Sequence, residues 1–448
     1  MVNGTAGCRV GRPRPEQQRT SLPMPDPESP AAHPTPNAGP DRHWQPTLYG
    51  MWLAMFFVFL EGTLGMTFLP VFLQEDMGLS LPQAEYWMGM ILAFPSLAMF
   101  LAQPIWGMYS DRHGRKPIVI ISVVCTSLLR AAWYFAPNPS TILVLGILAG
   151  ILGSGVIAGQ AIVASVSPRE RMGEIMGKLA TAMTVGFLIG PVVGQGLWQL
   201  LGARLTFLVQ AAFAFIGAVT VWLAVHERHE KPSDLPTAIQ PTGRLSGFAA
   251  TFTRDLRPLV GNRQLQVLWV MSLVVFFGWS SMWPIMTFFV QVLGVPLQRV
   301  PFYAACVMFV SGSLQTVLAP VFGRIGDRGG HKKVLVIGTG WSGGFIALHY
   351  FIQTYAQFFG ARVMATAAGA AINPTTSALV AKAMPRSRYG GAYGVLASSR
   401  ALAGSVGPLI GGFMAAHVGI RWVFLWTGAL TILAGVWAGA AVREPDGG

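Results

Sequence analysis

Long apolar runs alternate with short polar breaks from Leu48 to Val442. Each run is near or above the roughly 20 residues that a helix needs to cross a ~30 Å hydrocarbon core. The first six are predicted over about Leu48–Leu73, Glu85–Met108, Pro117–Phe135, Thr141–Val166, Met176–Leu201 and Leu205–Val225. Six more follow over about Leu265–Leu293, Phe302–Phe322, Val334–Ile352, Ala356–Val380, Gly391–Val418 and Arg421–Val442. The pattern predicts an all-α polytopic membrane protein of about twelve transmembrane helices. The expected organisation is a disordered tail over 1–46, a bundle over 47–226, a linker over 227–264, a second bundle over 265–442 and a short tail over 443–448.

The two bundles repeat each other. Gly107-Met-Tyr-Ser-Asp111-Arg112-His-Gly114-Arg115-Lys116 returns as Gly323-Arg-Ile-Gly-Asp327-Arg328-Gly-Gly-His-Lys332, about 216 positions later. Pro168-Arg-x-Arg-x-Gly173 returns at Pro385, Gly190-Pro191-x-x-Gly194 at Gly407, and Gly202-x-Arg-x-x-Phe207 at Gly419. Register held over so much of the chain predicts two pseudo-symmetric six-helix bundles joined in parallel.

Composition narrows the class. Of 448 residues 52% are hydrophobic and only 11% charged, against about 25% charged in a soluble domain. The formal net charge of +13 does not form a nucleic-acid face, because its arginines and lysines occupy short loops between apolar runs. Arg112, Arg115, Lys116, Arg169, Arg171, Arg328, Lys332, Lys333, Arg386 and Arg388 share one side with the linker. The opposite loops hold Arg204, Arg299 and Arg421 singly. That bias places the first group, and both termini, in the cytoplasm. Cys8, Cys125 and Cys306 show no ligand spacing, so neither a disulfide framework nor a metal site is expected. The first 42 residues, rich in Pro and Arg, lack the apolar core of a signal peptide. Within the linker, 247–260 reads equally as an amphipathic surface helix and as a solvated strand of chain.

The Gly107–Lys116 stretch resembles the signature between the second and third spans of the major facilitator superfamily. Gly186-x-x-x-Gly190-Pro191-x-x-Gly194 resembles the fifth-span motif of its drug:proton antiporter branch, with Gln195 where that motif usually ends in glycine. The resemblance covers about Leu48 to Val442. It implies a bacterial multidrug efflux protein of the cytoplasmic membrane, acting as a monomer on a small-molecule substrate and protons, with no cofactor. The branch often carries an arginine in the fourth span; that place falls here on Gly146.

Candidate chemistry follows from polar residues inside apolar runs. Glu61, mid-way along the first span, is the one carboxylate expected deep in a run; its repeat mate is Gly278. Such a charge is costly in hydrocarbon, so it should face a protein or water-filled interior, where a carboxyl can carry a proton inward. A paired structural role is the alternative. Arg130, Arg362 and Arg400 are the corresponding cations, and Arg362 and Arg400 could pair with Glu61 or hold an anionic substrate; snorkelling is their bland alternative. Gln160, Gln195, Gln210, Gln315 and Asn373 either bind substrate or join helices. Trp279, Met282 and Trp283 offer adaptable apolar surface, or simply line the interface with lipid. Asp111, Arg112, Arg115, Lys116, Asp327 and Arg328 are expected to gate, with Asp111 at a helix N-terminus of the other half; the alternative is a loop that merely obeys charge bias. Pro191 and Pro284 should kink their spans. Gly153-x-Gly155-x-x-x-Gly159 reads as helix packing rather than a nucleotide loop, since no strand precedes it.

The predicted function is proton-coupled export of amphipathic small molecules by two bundles that rock about a central site. A facilitator or exporter of one metabolite, such as a sugar or organic anion, is the alternative. A receptor or scaffold that uses the same fold is the alternative of another class. No reactive constellation suggests an enzyme.

Overall fold

The computed structural model describes residues 44–153, 155–168, 171–225, 262–383 and 389–442. Their regular structure is helical throughout. The first span is α1 (Trp44–Leu64) and α2 (Leu69–Glu75), and the second is α3 (Leu81–His113). The third is α4 (Arg115–Ala132), and the fourth is α5 (Pro139–Leu152) with α6 (Gly155–Val166). The fifth and sixth run together as α7 (Met172–Ala224). The seventh is α8 (Arg263–Met282) and α9 (Met286–Val292), then α10 (Val300–Gly329) and α11 (His331–Leu348). The tenth comprises α12 (Tyr355–Gly369) and α13 (Ile372–Lys382); α14 (Tyr389–His417) and α15 (Ile420–Ala441) close the chain. Eight of these segments are long and apolar enough to cross a membrane, and α7 holds two passes in one of them.

Four predicted spans are interrupted where the hydrophobic pattern alone reads continuous. Pro70 stands in the first turn of α2, where its missing N–H costs nothing, and the chain breaks before it. Pro284 likewise sits in a 3-10 turn over Trp283–Ile285. The tenth span changes helix at 370–371. The fourth ends a helix at Gly153, so that glycine breaks the span rather than packing it. Gly159 does pack: a Cβ there would lie 2.8 Å from Met51 Sδ. Pro191 lies inside α7 without a break.

The hairpins are tight because glycine supplies what other residues cannot. A single residue, Gly114, joins α3 to α4 at φ 92°, and Gly330 joins α10 to α11 at φ 93°. Gly202 turns α7 at φ 77°, and Gly419 separates α14 from α15 at φ 113°. All four lie in left-handed space that L side chains rarely enter.

Contacts repeat as the sequence does. Gln210 Nε2 donates to the Glu61 carbonyl at 2.6 Å, and Thr427 Oγ1 to the Gly278 carbonyl at 3.1 Å. Arg204 donates to Tyr134 O and Arg421 to Tyr350 O, each at 2.8 Å. These two arginines therefore hold the C-terminal carbonyls of the third and ninth spans, a place where helix dipoles favour a cation. Phe72 meets Phe207 edge-on at 5.1 Å, and Phe289 lies 4.6 Å from Phe424.

Some repeat mates touch one another. Gln74 and Gln291, 217 positions apart, exchange two side-chain hydrogen bonds of 3.0 Å. Trp283 Nε1 approaches Met66 Sδ at 3.1 Å across the same separation. Two equivalent residues can meet only near the axis that relates them, so these pairs mark a pseudo-twofold between the halves. On the same face, α3 and α14 pack backbone to backbone: a Cβ on Gly89 would lie 2.7 Å from Pro408 O. One buried hydrophobic cluster, including Phe72, Met88, Phe207, Phe289 and Phe424, extends through both halves here.

Candidate transport site

The first span is held against α7 by the fifth-span motif. Its glycines form a flat strip. A Cβ on Gly186 would lie 2.6 Å from Phe56 O, and one on Gly190 2.9 Å from Leu60 O. One on Gly194 would run into Leu64 O. Small residues let two backbones meet where side chains would hold them apart. Pro191 adds its carbonyl as an acceptor for Thr67 Oγ1 at 3.4 Å. The strip thereby fixes α1, and with it the direction of Glu61.

Glu61 is 9% exposed. Its Oε1 accepts from Arg130 Nε at 2.7 Å, and the two side chains are 12% and 22% exposed. The Arg130 guanidinium also stands 4.1 Å from the centroid of the Trp133 ring. Sequence alone offers Arg362 or Arg400 as the partner; the structure selects Arg130 instead. The reason is topological, because the third span shares the first span's bundle and Arg362 and Arg400 belong to the other. Nor is Glu61 the sole deep carboxylate. Glu85, 3% exposed, begins α3 against α14. Sequence placed it at a span edge, and the neighbouring half, unseen in the sequence, buries it.

Two cavities lie over this ion pair and beyond it. The first, about 520 Å³, is lined by Glu61, Arg130, Gln103 and Gln210 among mostly apolar residues. The second, about 420 Å³, lies against Phe276, Trp279, Trp283, Gln315, Arg362 and Asn373. Both include Met66, Leu92, Ser96 and Phe187, so they are lobes of one space between the halves. Trp283 and Phe187 meet there at 5.5 Å. Arg362 Nη1 points at Met282 Sδ, 3.4 Å away, and Met282 itself is buried. Arg400 lies over the Phe276 ring at 4.7 Å and donates to Asn373 Oδ1 at 3.2 Å. Gln160 does not join them: its amide contacts Met183 Sδ at 3.5 Å between α6 and α7. Gln195 is buried with its amide unbonded.

The charged hinge divides. The side chains of Asp111 and Arg112 lie outside the described residues, as do Arg169, Arg386, Arg388, the linker over 226–261 and both tails. Gly107 has open space beside it. Arg115 donates to Ala161 O at 3.3 Å, and Lys116 to Trp222 O at 2.8 Å. Both therefore bind carbonyls of helices in their own bundle. In the second copy, Asp327 pairs with the buried His331 at 3.1 Å, and Arg328 is exposed.

The repeat itself carries the signal for the contact between the halves. Gln74 and Gln291 are the same polar residue at equivalent positions in apolar surroundings, which alignment of the two halves would have shown. Sequence marks Gln210 only as a polar side chain that can bind substrate or join helices; its backbone acceptor at Glu61 is set by the fold.

Comparison with known proteins agrees with the geometry. The family model for the Major Facilitator Superfamily matches residues 51–316 and 268–447. The chain belongs to the major facilitator superfamily. Within it, the Multidrug resistance protein MdtG of Proteus mirabilis is 28% identical over 408 residues, 91% of this chain and 98% of that protein. The Multi-drug resistance efflux pump PmrA homolog of Lactococcus lactis is 26% identical, covering 88% of this chain and 95% of its own. Among solved structures, an inward-facing bacterial homolog of the human lysosomal transporter Spinster superposes with a TM-score of 0.71 at 17% identity, covering 90% and 98% of the two chains. The nucleoside transporter NupG gives 0.71 at 14%, covering 89% and 100%. These structures share the superfamily's fold with this chain. This is a membrane transporter of the superfamily whose relatives include multidrug efflux proteins.

Proposed function

We propose that the protein exports amphipathic small molecules from the cytoplasm in exchange for protons, by alternating access around the two-lobed cavity. The observation that carries the reading is the Glu61–Arg130 pair, a part-buried ion pair on the cavity wall whose repeat mates are Gly278 and Ile346. A proton taken up by Glu61 removes the counter-charge of Arg130. An unpaired cation in a low-dielectric site is expensive, so the protonated protein favours the arrangement that gives Arg130 water or a new partner. Release of the proton on the cytoplasmic side restores the pair. One charge moved through 100 mV supplies about 2.3 kcal/mol to this cycle. Arg130 takes the place of the fourth-span arginine that Gly146 lacks.

The arginine- and lysine-bearing loops face the cytoplasm in this reading, with both termini inside, in the bacterial inner membrane. The face closed by Gln74 and Gln291 is then external. The protein works as a monomer of two bundles, over 47–226 and 265–442, and is not an enzyme. Gly146 specifically favours one rival, a facilitator for a single metabolite. Everted membrane vesicles separate the two. With fluorescent anionic, neutral and cationic amphipaths, an imposed pH gradient should drive accumulation in wild type, and Glu61→Gln should abolish the driven part. Gradient-independent uptake in wild type, or driven uptake surviving in Glu61→Gln, rejects the coupling.

A further inference from the structure

We infer that the second lobe selects planar aromatic anions, with Arg362 as the group that receives the acid; this rests on the transport reading above and names its substrate class. Among the described residues that line the 420 Å³ lobe, no Asp or Glu occurs. Arg362 is thus a cation with no acidic neighbour in that lining. A guanidinium carries five N–H donors and accepts nothing. Here Nη1 has only the thioether of Met282, at 3.4 Å, which is a weak acceptor. Its Nε is enclosed and has no hydrogen-bond partner.

The neighbourhood adds positive charge rather than cancelling it. Arg400 lies behind the lobe, tied to the lining residue Asn373 at 3.2 Å, and its own Nε is likewise unpartnered. The carboxylate of the adjoining lobe, Glu61, is occupied by Arg130 at 2.7 Å. Glu61 and Arg130 cancel, and Arg362 and Arg400 remain. Neither has a counterpart in the first half, where the equivalent positions hold Gly146 and Met183. The symmetry of the fold therefore does not call for them.

The remaining lining fixes the shape of the ligand. Phe187, Phe276, Trp279 and Trp283 line the space, so much of its wall is aromatic. Such a wall would ordinarily suit an organic cation, but a fixed guanidinium inside the same lobe repels one. A flat ring system carrying one carboxylate or sulfonate satisfies both: rings against the tryptophans, and two acid oxygens on the guanidinium fork.

The test uses the purified full-length chain and three probes that differ in one group: 2-naphthoate, 2-naphthamide and 2-naphthylmethylammonium. Isothermal titration at pH 7.5 should show naphthoate bound about tenfold tighter than the amide, as a charged hydrogen bond implies, with the ammonium weakest. Arg362→Gln should erase the preference for naphthoate, and Arg362→Lys should keep part of it. Melting temperatures establish that both variants fold, and Arg400→Gln supplies a second, milder loss. Equal affinities, a preference for the ammonium, no binding of naphthoate, or a preference that survives Arg362→Gln overturns the inference. If pH-driven export of a cationic dye persists while naphthoate fails to bind, only the anion assignment falls. If naphthoate is preferred but no transport is driven, the coupling falls and the site stands.

Discussion

Glu61 and Arg130 should behave as one unit when either is removed. Their contact is 2.7 Å, with side chains 12% and 22% exposed, so solvent screens it little. Breaking a fully buried pair by deleting one partner costs roughly 3–5 kcal/mol. This pair borders a cavity, and Arg130 would keep its place over Trp133 at 4.1 Å, a contact worth about 0.5–2 kcal/mol. Glu61→Gln should accordingly cost about 1–2 kcal/mol. Arg130→Gln, which strands the carboxylate and also forfeits the ring contact, should cost about 2–3 kcal/mol. The double variant buries no lone charge and should cost no more than the worse single. The coupling energy is then about 1–2 kcal/mol, well beyond the ~0.5 kcal/mol scatter of independent sites. The assay is unfolding of the full chain in one detergent at pH 7, followed by tryptophan fluorescence for wild type, both singles and the double. Additive losses would refute the argument, because they would mean that the contact contributes no net energy. Transport separates stability from mechanism: the double variant should be no less stable than Arg130→Gln while still failing to couple.

Two further outcomes follow from packing and symmetry. Gly194→Val should prevent stable assembly, since even a Cβ there runs into the Leu64 carbonyl, whereas Gly196→Ala, with open space around it, should express normally; fluorescence-detected size exclusion compares them. If the Gln74–Gln291 face must open, cysteines at both positions in a background lacking the native thiols should let a short reversible cross-linker stop transport, and reductant should restore it. Transport undiminished by a verified cross-link would remove that face from the access cycle.

Much of this was written in the chain itself. Membrane insertion follows from run length alone, because hydrocarbon accepts no unpaired backbone group and any apolar run of sufficient length must be helical. Duplication was equally legible, since Gly114 and Gly330, or Gly202 and Gly419, are demanded by the same left-handed turns in each copy. What sequence left open was partnership. Glu61 is separated from Arg130 by 69 positions, and nothing along the chain distinguishes Arg130 from Arg362 or Arg400 as its mate. Glu85 looked marginal because hydropathy is blind to a neighbour from the other bundle. Gln160, polar and mid-span, proved to join two helices rather than face the cavity. One-dimensional pattern determines which residues must leave water. Which of them meet is decided only when helices far apart in the chain pack, because the energy of a buried charge or amide depends on distances of a few ångströms that no local periodicity encodes.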